Sequence, residues 1–294
     1  MAVMTPPVAV LAEGIGHAEG PCVLPDRRVV FTDTFRSQIV AWQEGQGVRR
    51  YAYTGGAPNS CLLGSDGHVY VANCPTAGRW VAPDRRPGCI QRAAPDGRVE
   101  IVAVSADGVP LDGVNDLCFG PDGRIYFTDS GDYAPDTRHH PGRICVLERD
   151  GTAHILEELD HTYPNGIVAE PDGSIVWVES YTLKMIRRRP DGTKRVIHRF
   201  AEGHIPDGFK IDAEGNFWVT TVSSGGIDIV SRDGGALGFA ALDAVPLNCI
   251  FDGTSLIVTD FGKADPAELA PLTGRLLRAE VGMRGMPLFS GAIA

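Results

Sequence analysis

Short runs of alternating apolar and polar residues recur along the chain, each introduced by an acidic turn. They read P-D-R-R-V-V-F-T-D (25–33), S-D-G-H-V-Y-V-A-N (65–73), P-D-G-R-I-Y-F-T-D (121–129), P-D-G-S-I-V-W-V-E (171–179) and A-E-G-N-F-W-V-T-T (213–221). A sixth, F-D-G-T-S-L-I-V-T-D (251–260), is one residue longer. An acidic residue and glycine between alternating β-branched and aromatic residues is a strong hairpin signal. Further strand-like runs lie between these hairpins: Ile39–Trp42, Val48–Tyr53, Ile90–Arg92, Ile144–Leu147, Ile155–Leu159, Met185–Arg188, Ile227–Val230 and Leu276–Ala279. Helical periodicity is nearly absent, and only Pro266–Leu272 suits a short helix.

About four strands at a period of 40–56 residues predict an all-β, six-bladed β-propeller of four antiparallel strands per blade, spanning residues 1–294 as one domain. A sandwich or barrel has no reason to keep a polar residue in phase through six units. Val8–Ala12 is placed to serve as the outer strand of the last blade, which would close the ring and cover a free edge.

Composition sharpens this picture. The 36 glycines and 21 prolines are the turn residues such hairpins need. With 43% hydrophobic and 22% charged residues the chain is not a disordered one. A formal charge of −10 and no long Lys/Arg tract argue against nucleic acid or an anionic membrane as partner. Arg85–Arg86 and Arg187–Arg189 are short clusters expected on solvated faces. There is no run of 18 apolar residues, and the N-terminal stretch lacks the features of a signal peptide, so a cytoplasmic location is expected. The seven cysteines are then reduced, mostly as small core residues, with Cys22, Cys61, Cys118 and Cys249 sharing one structural location.

Each repeat opens with an oxygen-bearing side chain: Glu19, Asn59, Asn115, Asn165, Asp207 and Asn248. In a propeller the innermost strands line the central channel, so these six converge near one mouth. Buried carboxylates are costly unless compensated, and an oxygen-only donor set suits a hard divalent ion such as calcium, magnesium or manganese, with zinc less indicated. A second in-phase set, Asp33, Asn73, Asp129, Glu179, Thr221 and Asp260, ends the following strand and is expected to anchor loops.

At these residues the sequence resembles the SMP-30/gluconolactonase/LRE family of six-bladed propellers. The resemblance rests on E-G-P (Glu19–Pro21), V-N-D with downstream G-R-I-Y-F-T-D (114–129), P-N-G (Pro164–Gly166) and P-D-G-F (Pro206–Phe209), and it covers nearly the whole chain. It implies a metal-dependent hydrolase, chiefly of lactones, holding one divalent ion (calcium first) through Glu19, Asn165 and Asp207, with Asn115 beside the ion. Two departures matter. Gly113 and Tyr133 stand where members acting on sugar-acid lactones carry an arginine and a substrate-binding glutamate, which implies a less polar lactone.

Such an ion would polarise a carbonyl, and Asp207 is the first candidate to take a proton from the attacking water. His17, His161 and His204 precede Glu19, Asn165 and Asp207 and are expected at the same mouth, as substrate-contacting or titrating groups. The long connections Asn73–Gly88 and Ser130–Gly142 supply Trp80, Tyr133, His139 and His140 as walls of a partly apolar pocket. No G-x-S-x-G elbow, P-loop or dinucleotide fingerprint is present, which disfavours serine-hydrolase and nucleotide chemistry. An organophosphate hydrolase at the same site, a non-hydrolytic enzyme and a binding propeller remain as alternatives.

Overall fold

The acidic turns set the strands in motion locally. Asp66 and Asp122 each accept the backbone N–H two residues on, at 3.1 Å in both cases, closing tight turns between consecutive strands. Gly123 occupies the left-handed region that such a turn demands (φ 76°). In the first repeat Arg27 takes that conformation instead (φ 71°), and the backbone N–H of Arg28 still bonds to Asp26.

The computed structural model of the protein, which describes residues 2–265 and 267–294, assembles these hairpins into six four-stranded antiparallel blades. From the axis outward, the first blade is Ala18–Val23, Val29–Asp33, Gln38–Gln43 and Gly47–Tyr53. The inner strands of the next five are Ala57–Leu63, Val114–Phe119, Pro164–Ala169, Pro206–Ile211 and Pro246–Asp252. The sixth blade takes its outer strand from the N-terminal segment: Val8–Ile15 runs antiparallel to Gly274–Glu280, with Val8 opposite Ala279 and Ile15 opposite Gly274. The closure expected from sequence is therefore made, by a strand three residues longer. One pairing had no sequence signal: Ala2–Met4 adds a parallel fifth strand to the edge of the fifth blade.

The blades pack face to face through fully buried large side chains, among them Phe31, Tyr70, Phe127, Trp177, Phe209 and Phe217. Period-2 alternation explains why: successive side chains of a strand enter opposite inter-blade layers, so both faces of each blade are apolar. The second in-phase set anchors loops, as expected. Asp33 Oδ1 accepts from Gly16 N (2.8 Å), Asp129 Oδ1 from Gly113 N (2.8 Å) and Asp260 Oδ1 from Val245 N (2.7 Å), each fixing the segment that leads into its own inner strand. Arginines 36, 143 and 275 neutralise these three buried carboxylates.

Three expectations need correction. The short helix assigned to Pro266–Leu272 does not form: Pro266 lies outside the described residues, and 267–272 run as turns and bends. The one helical turn among the described residues is the 3-10 segment Thr34–Arg36. Arg187 is not on a solvated face but buried, donating to both oxygens of buried Glu170 and lying over Phe217. A carboxylate on the neighbouring strand pair makes that burial tolerable, and strand position alone could not disclose it. The four cysteines do not all share one place: Cys22, Cys61 and Cys118 line the lower end of the channel, whereas Cys249 Sγ faces the Trp218 carbonyl at 3.7 Å. Burial pushes all four thiols up, so they are packing groups at neutral pH.

The channel has two unequal ends. At the lower end, the C-terminal segment lays Met286, Leu288 and Phe289 across the opening. Backbone bonds from Met286 N to Ile211 O (2.9 Å) and Ser65 N to Gly291 O (2.8 Å) hold it there. Access to the polar ring is thus from the upper mouth.

Candidate metal centre and cavity

A common backbone device places the ring residues. In all six blades the pairing register between the first two strands slips beside the ring residue: between Glu19 and Cys22, Pro58 and Ser60, Val114 and Leu117, Pro164 and Ile167, Pro206 and Phe209, and Pro246 and Asn248. A bulge inserts an unpaired residue, bends the strand and re-aims side chains. Here it leaves Asn59, Asn115, Asn165 and Asp207 unpaired in their sheets, while Glu19 stays opposite Thr32 and Asn248 opposite Thr259. Hydroxyls of one blade then hold the next at the bulge: Thr34 Oγ1 donates to Pro58 O (2.7 Å), Thr128 Oγ1 to Asn165 O (2.8 Å) and Ser180 Oγ to Pro206 O (2.8 Å). Gly208 explains the glycine after the ring acid. A Cβ there would lie 2.1 Å from Asn248 Cγ, so any side chain would displace the Asn248 amide.

Glu19, Asn115, Asn165 and Asp207 come together, all buried, at the floor of an upper cavity of about 330 Å³. Asn165 and Glu19 lie beside Asp207 and favour its charged form. Asn165 Nδ2 donates to Ser180 Oγ at 3.2 Å, which fixes its amide. Burial, then the charge of Asp116, pushes Asp207 up to about 8. Burial, then Asp207 and Asp116, raises Glu19 well above the usual carboxylate range. Both shifts say that the negative charge is undercompensated by the chain itself.

The remaining ring members divide. Asn59 reaches the cavity and donates through Nδ2 to Asn115 O at 3.1 Å. Asn115 Nδ2 donates to the Tyr163 hydroxyl at 3.3 Å, while its Oδ1 is buried without a hydrogen-bond partner. Asn248 does not line the cavity. Its Oδ1 accepts from Cys249 N at 2.8 Å, and its Nδ2 points to Asp116 Oδ2 at 3.4 Å, lower in the channel.

An orphaned buried amide oxygen beside two buried carboxylates and a second amide is a donor set of oxygens only, in which two charges would balance a divalent ion. These residues therefore fit a hard divalent cation by the chemistry of their atoms. Soft or nitrogen ligands do not enter the group. His17, the histidine that does reach the cavity, stands edge-on to Phe35 (5.6 Å between ring centroids) and Phe261 (5.2 Å). Burial lowers it to about 4, so it is neutral at pH 7.

The other sequence-derived contacts are placed less uniformly. Tyr133 lines the cavity and packs against Tyr163 (5.0 Å) and Tyr181 (5.5 Å). Trp80 sits one layer back, edge-on to Phe35 at 5.4 Å, while Ala77, Gly78 and Arg79 of its hairpin line the cavity instead. His161 is exposed and His204 bonds Asp228 at 2.8 Å beside Phe239; neither lines the cavity. Their inter-blade loops turn these rings outward, so three histidines near in sequence phase do not form one cluster.

Several residues escaped sequence reasoning. Asp116 directly follows Asn115 and acts from below the ring, where Ser60 Oγ donates to it at 2.6 Å. The V-N-D tripeptide was its signal, hidden because the second acid faces the channel only through the bulge. Tyr163 precedes the P-N-G motif, and its φ of 53° turns its ring into the cavity. Phe35, Ile205, Val222, Val245, Leu247 and Phe261 make the walls predominantly apolar over the polar floor.

Comparison with known proteins agrees with this architecture. The chain is 24% identical to a gluconolactonase of Zymomonas mobilis over 283 residues, covering 83% of this chain and 76% of that protein. Among solved structures it resembles a calcium-binding regucalcin from Agrobacterium tumefaciens (TM-score 0.79, 18% identity, 100% of this chain and 99% of that one). It also resembles a gluconolactonase from Xanthomonas campestris (TM-score 0.74, 21% identity, 92% and 89% of the two chains). At these identities the structures speak for the fold alone. The sequence profile of the SMP-30/gluconolactonase/LRE-like region matches residues 17–260, and the chain belongs to that family.

Proposed function

We propose that this propeller is a hydrolase that opens a lactone with the help of one divalent cation, calcium first, held by Glu19, Asn165 and Asp207 with Asn115 Oδ1 alongside. The observation that carries the reading is the buried oxygen cluster, with its orphaned Asn115 Oδ1, at the floor of an otherwise apolar cavity. Membership in a family that includes gluconolactonases supports the substrate class.

The ion, when bound, would supply Lewis acidity to the lactone carbonyl. The protein's own groups would do the rest. Asp207 takes the proton of the attacking water, being the ring carboxylate with both Asn165 and Glu19 to orient it. Tyr163 stays protonated, because burial raises it well above the usual phenol range, and its hydroxyl accepts from Asn115 Nδ2. That leaves its proton to be donated towards an oxygen of the substrate where negative charge develops. His17, neutral between two phenyl rings, contributes surface rather than charge. With Phe35, Val245, Leu247 and Phe261 it favours an acyl or alkyl substituent over a polyhydroxylated ring.

Hydrolysis of a lactone panel by chelated and calcium-reconstituted protein tests the reading. Metal-restored turnover, faster on apolar than on sugar-acid lactones, is expected. No metal-restored hydrolysis of any lactone would overturn it.

A further inference from the structure

A second group of metal-ligating side chains lies outside this centre, at the rim of the cavity. The ligand atoms of Asp132, His139 and His140 all approach within 4.8 Å of one another. The Ser130–Gly142 connection folds back to achieve this. Gly131 (φ 69°) lets His140 lie directly on the backbone, since a Cβ there would be 2.4 Å from the His140 ring. The two imidazole rings stand 4.2 Å apart at 50°. Two of the three donors are also held from behind. Thr76, from the neighbouring loop, hydrogen-bonds Asp132 Oδ1, and the Thr137 hydroxyl lies 2.9 Å from His139 Nδ1, which leaves Nε2 to face a ligand. Support of a histidine through its other ring nitrogen is the usual arrangement behind a metal-bound imidazole.

We propose that Asp132, His139 and His140 form a second metal site, selective for zinc or a similar transition ion, that ties the rim of the cavity together. Two imidazoles and one carboxylate are borderline ligands that suit zinc, in contrast to the oxygen-only inner centre. Ligands about 2 Å from zinc lie within about 4 Å of one another, so small rotamer adjustments close the site. The site joins two walls. Tyr133 follows Asp132 and lines the cavity, and Thr76 begins the hairpin whose Ala77, Gly78 and Arg79 line the adjoining stretch of wall. A bound ion would order both loops at the entrance, whatever reaction the cavity performs.

The test uses the full chain with calcium saturating, so that zinc does not compete for the inner centre. Zinc is titrated against a chromophoric chelator, and cobalt(II) absorption reports nitrogen ligation. The wild type should take up about one zinc, with cobalt bands of a low-coordinate nitrogen–oxygen site. His139→Ala, an exposed position whose loss leaves the blades intact, should weaken zinc at least tenfold, and Asp207→Asn should not. Trypsin supplies a second readout, since Arg138 is exposed within the same loop. Zinc should slow cleavage at Arg138 in the wild type and not in His140→Ala. No zinc uptake, equal affinity in wild type and His139→Ala, loss of zinc through Asp207→Asn alone, or cleavage indifferent to zinc would each overturn the proposal.

Discussion

Removing the charge of Asp207 should stabilise the metal-free protein while abolishing its response to calcium. The magnitude follows from the burial of that carboxylate. In the folded chain without an ion, Asp207 is lifted from its ordinary 3.8 to about 8. Between those values the folded state holds a proton that the unfolded chain has released. Stability therefore falls as pH rises from about 4 to about 8 and levels off above. Each tenfold change in proton affinity is worth about 1.4 kcal/mol, so at pH 7 the accumulated cost is about 4 kcal/mol. Asp207→Asn keeps the shape and loses the titration. In chelator it should unfold at higher urea than the wild type at pH 7, with a Tm higher by about 6 °C. Near pH 4 the two proteins should converge. Calcium should narrow the difference, adding about 2.7 kcal/mol to the wild type at one hundred times its dissociation constant and little to the variant. Urea and thermal unfolding at pH 4, 7 and 8.5, with and without calcium, give the comparison. A wild type whose chelated stability is flat across this range, or a variant that responds to calcium like the wild type, would refute the reasoning.

Two structural predictions accompany it. Gly208→Ala places a Cβ 2.1 Å from Asn248 Cγ, and the Asn248 amide must leave its place in the channel to admit it. A loss of about 1–3 kcal/mol is expected, together with weaker calcium binding, by urea unfolding and calorimetric titration; retention of both would show that the Asn248 side chain moves aside freely. Arg187→Ala leaves Glu170 buried and short of its inner partner, with half-exposed Arg232 still 3.1 Å away. It should cost about 3–5 kcal/mol, whereas pairing Arg187→Met with Glu170→Leu should recover most of that loss; equal stabilities of the single and double variants would refute the burial argument.

The architecture was legible because a propeller repeats its local chemistry. The acidic turns at Asp66 and Asp122, the alternation of Ile125–Asp129 and the phase of six oxygen-bearing residues are all properties of short segments. So was the closing strand, since Val8–Ala12 had no hairpin partner of its own. The site was legible less evenly. Glu19, Asn165 and Asp207 do meet, but Asn248, though in phase, turns down the channel, and Asp116, one residue out of phase, adds its charge to the burial that raises Asp207. The bulges decide this difference, and no residue type marks them. His161 and His204 failed as cavity residues for a related reason: a position in a loop fixes neither the direction of its ring nor what it meets, and Asp228 captures His204.

Sequence by itself therefore determined the number of blades, their order, the closing segment and the oxygen character of the channel mouth, because each depends on spacing and residue type within about ten residues. The tertiary structure alone decided which oxygens share one point, how deeply Asp207 and Glu19 are buried and which aromatic rings wall the cavity. Those properties depend on side chains brought together from different blades. Asp132, His139 and His140 are close in sequence, but only the fold over Gly131 and the contact with Thr76 turn them towards a common point.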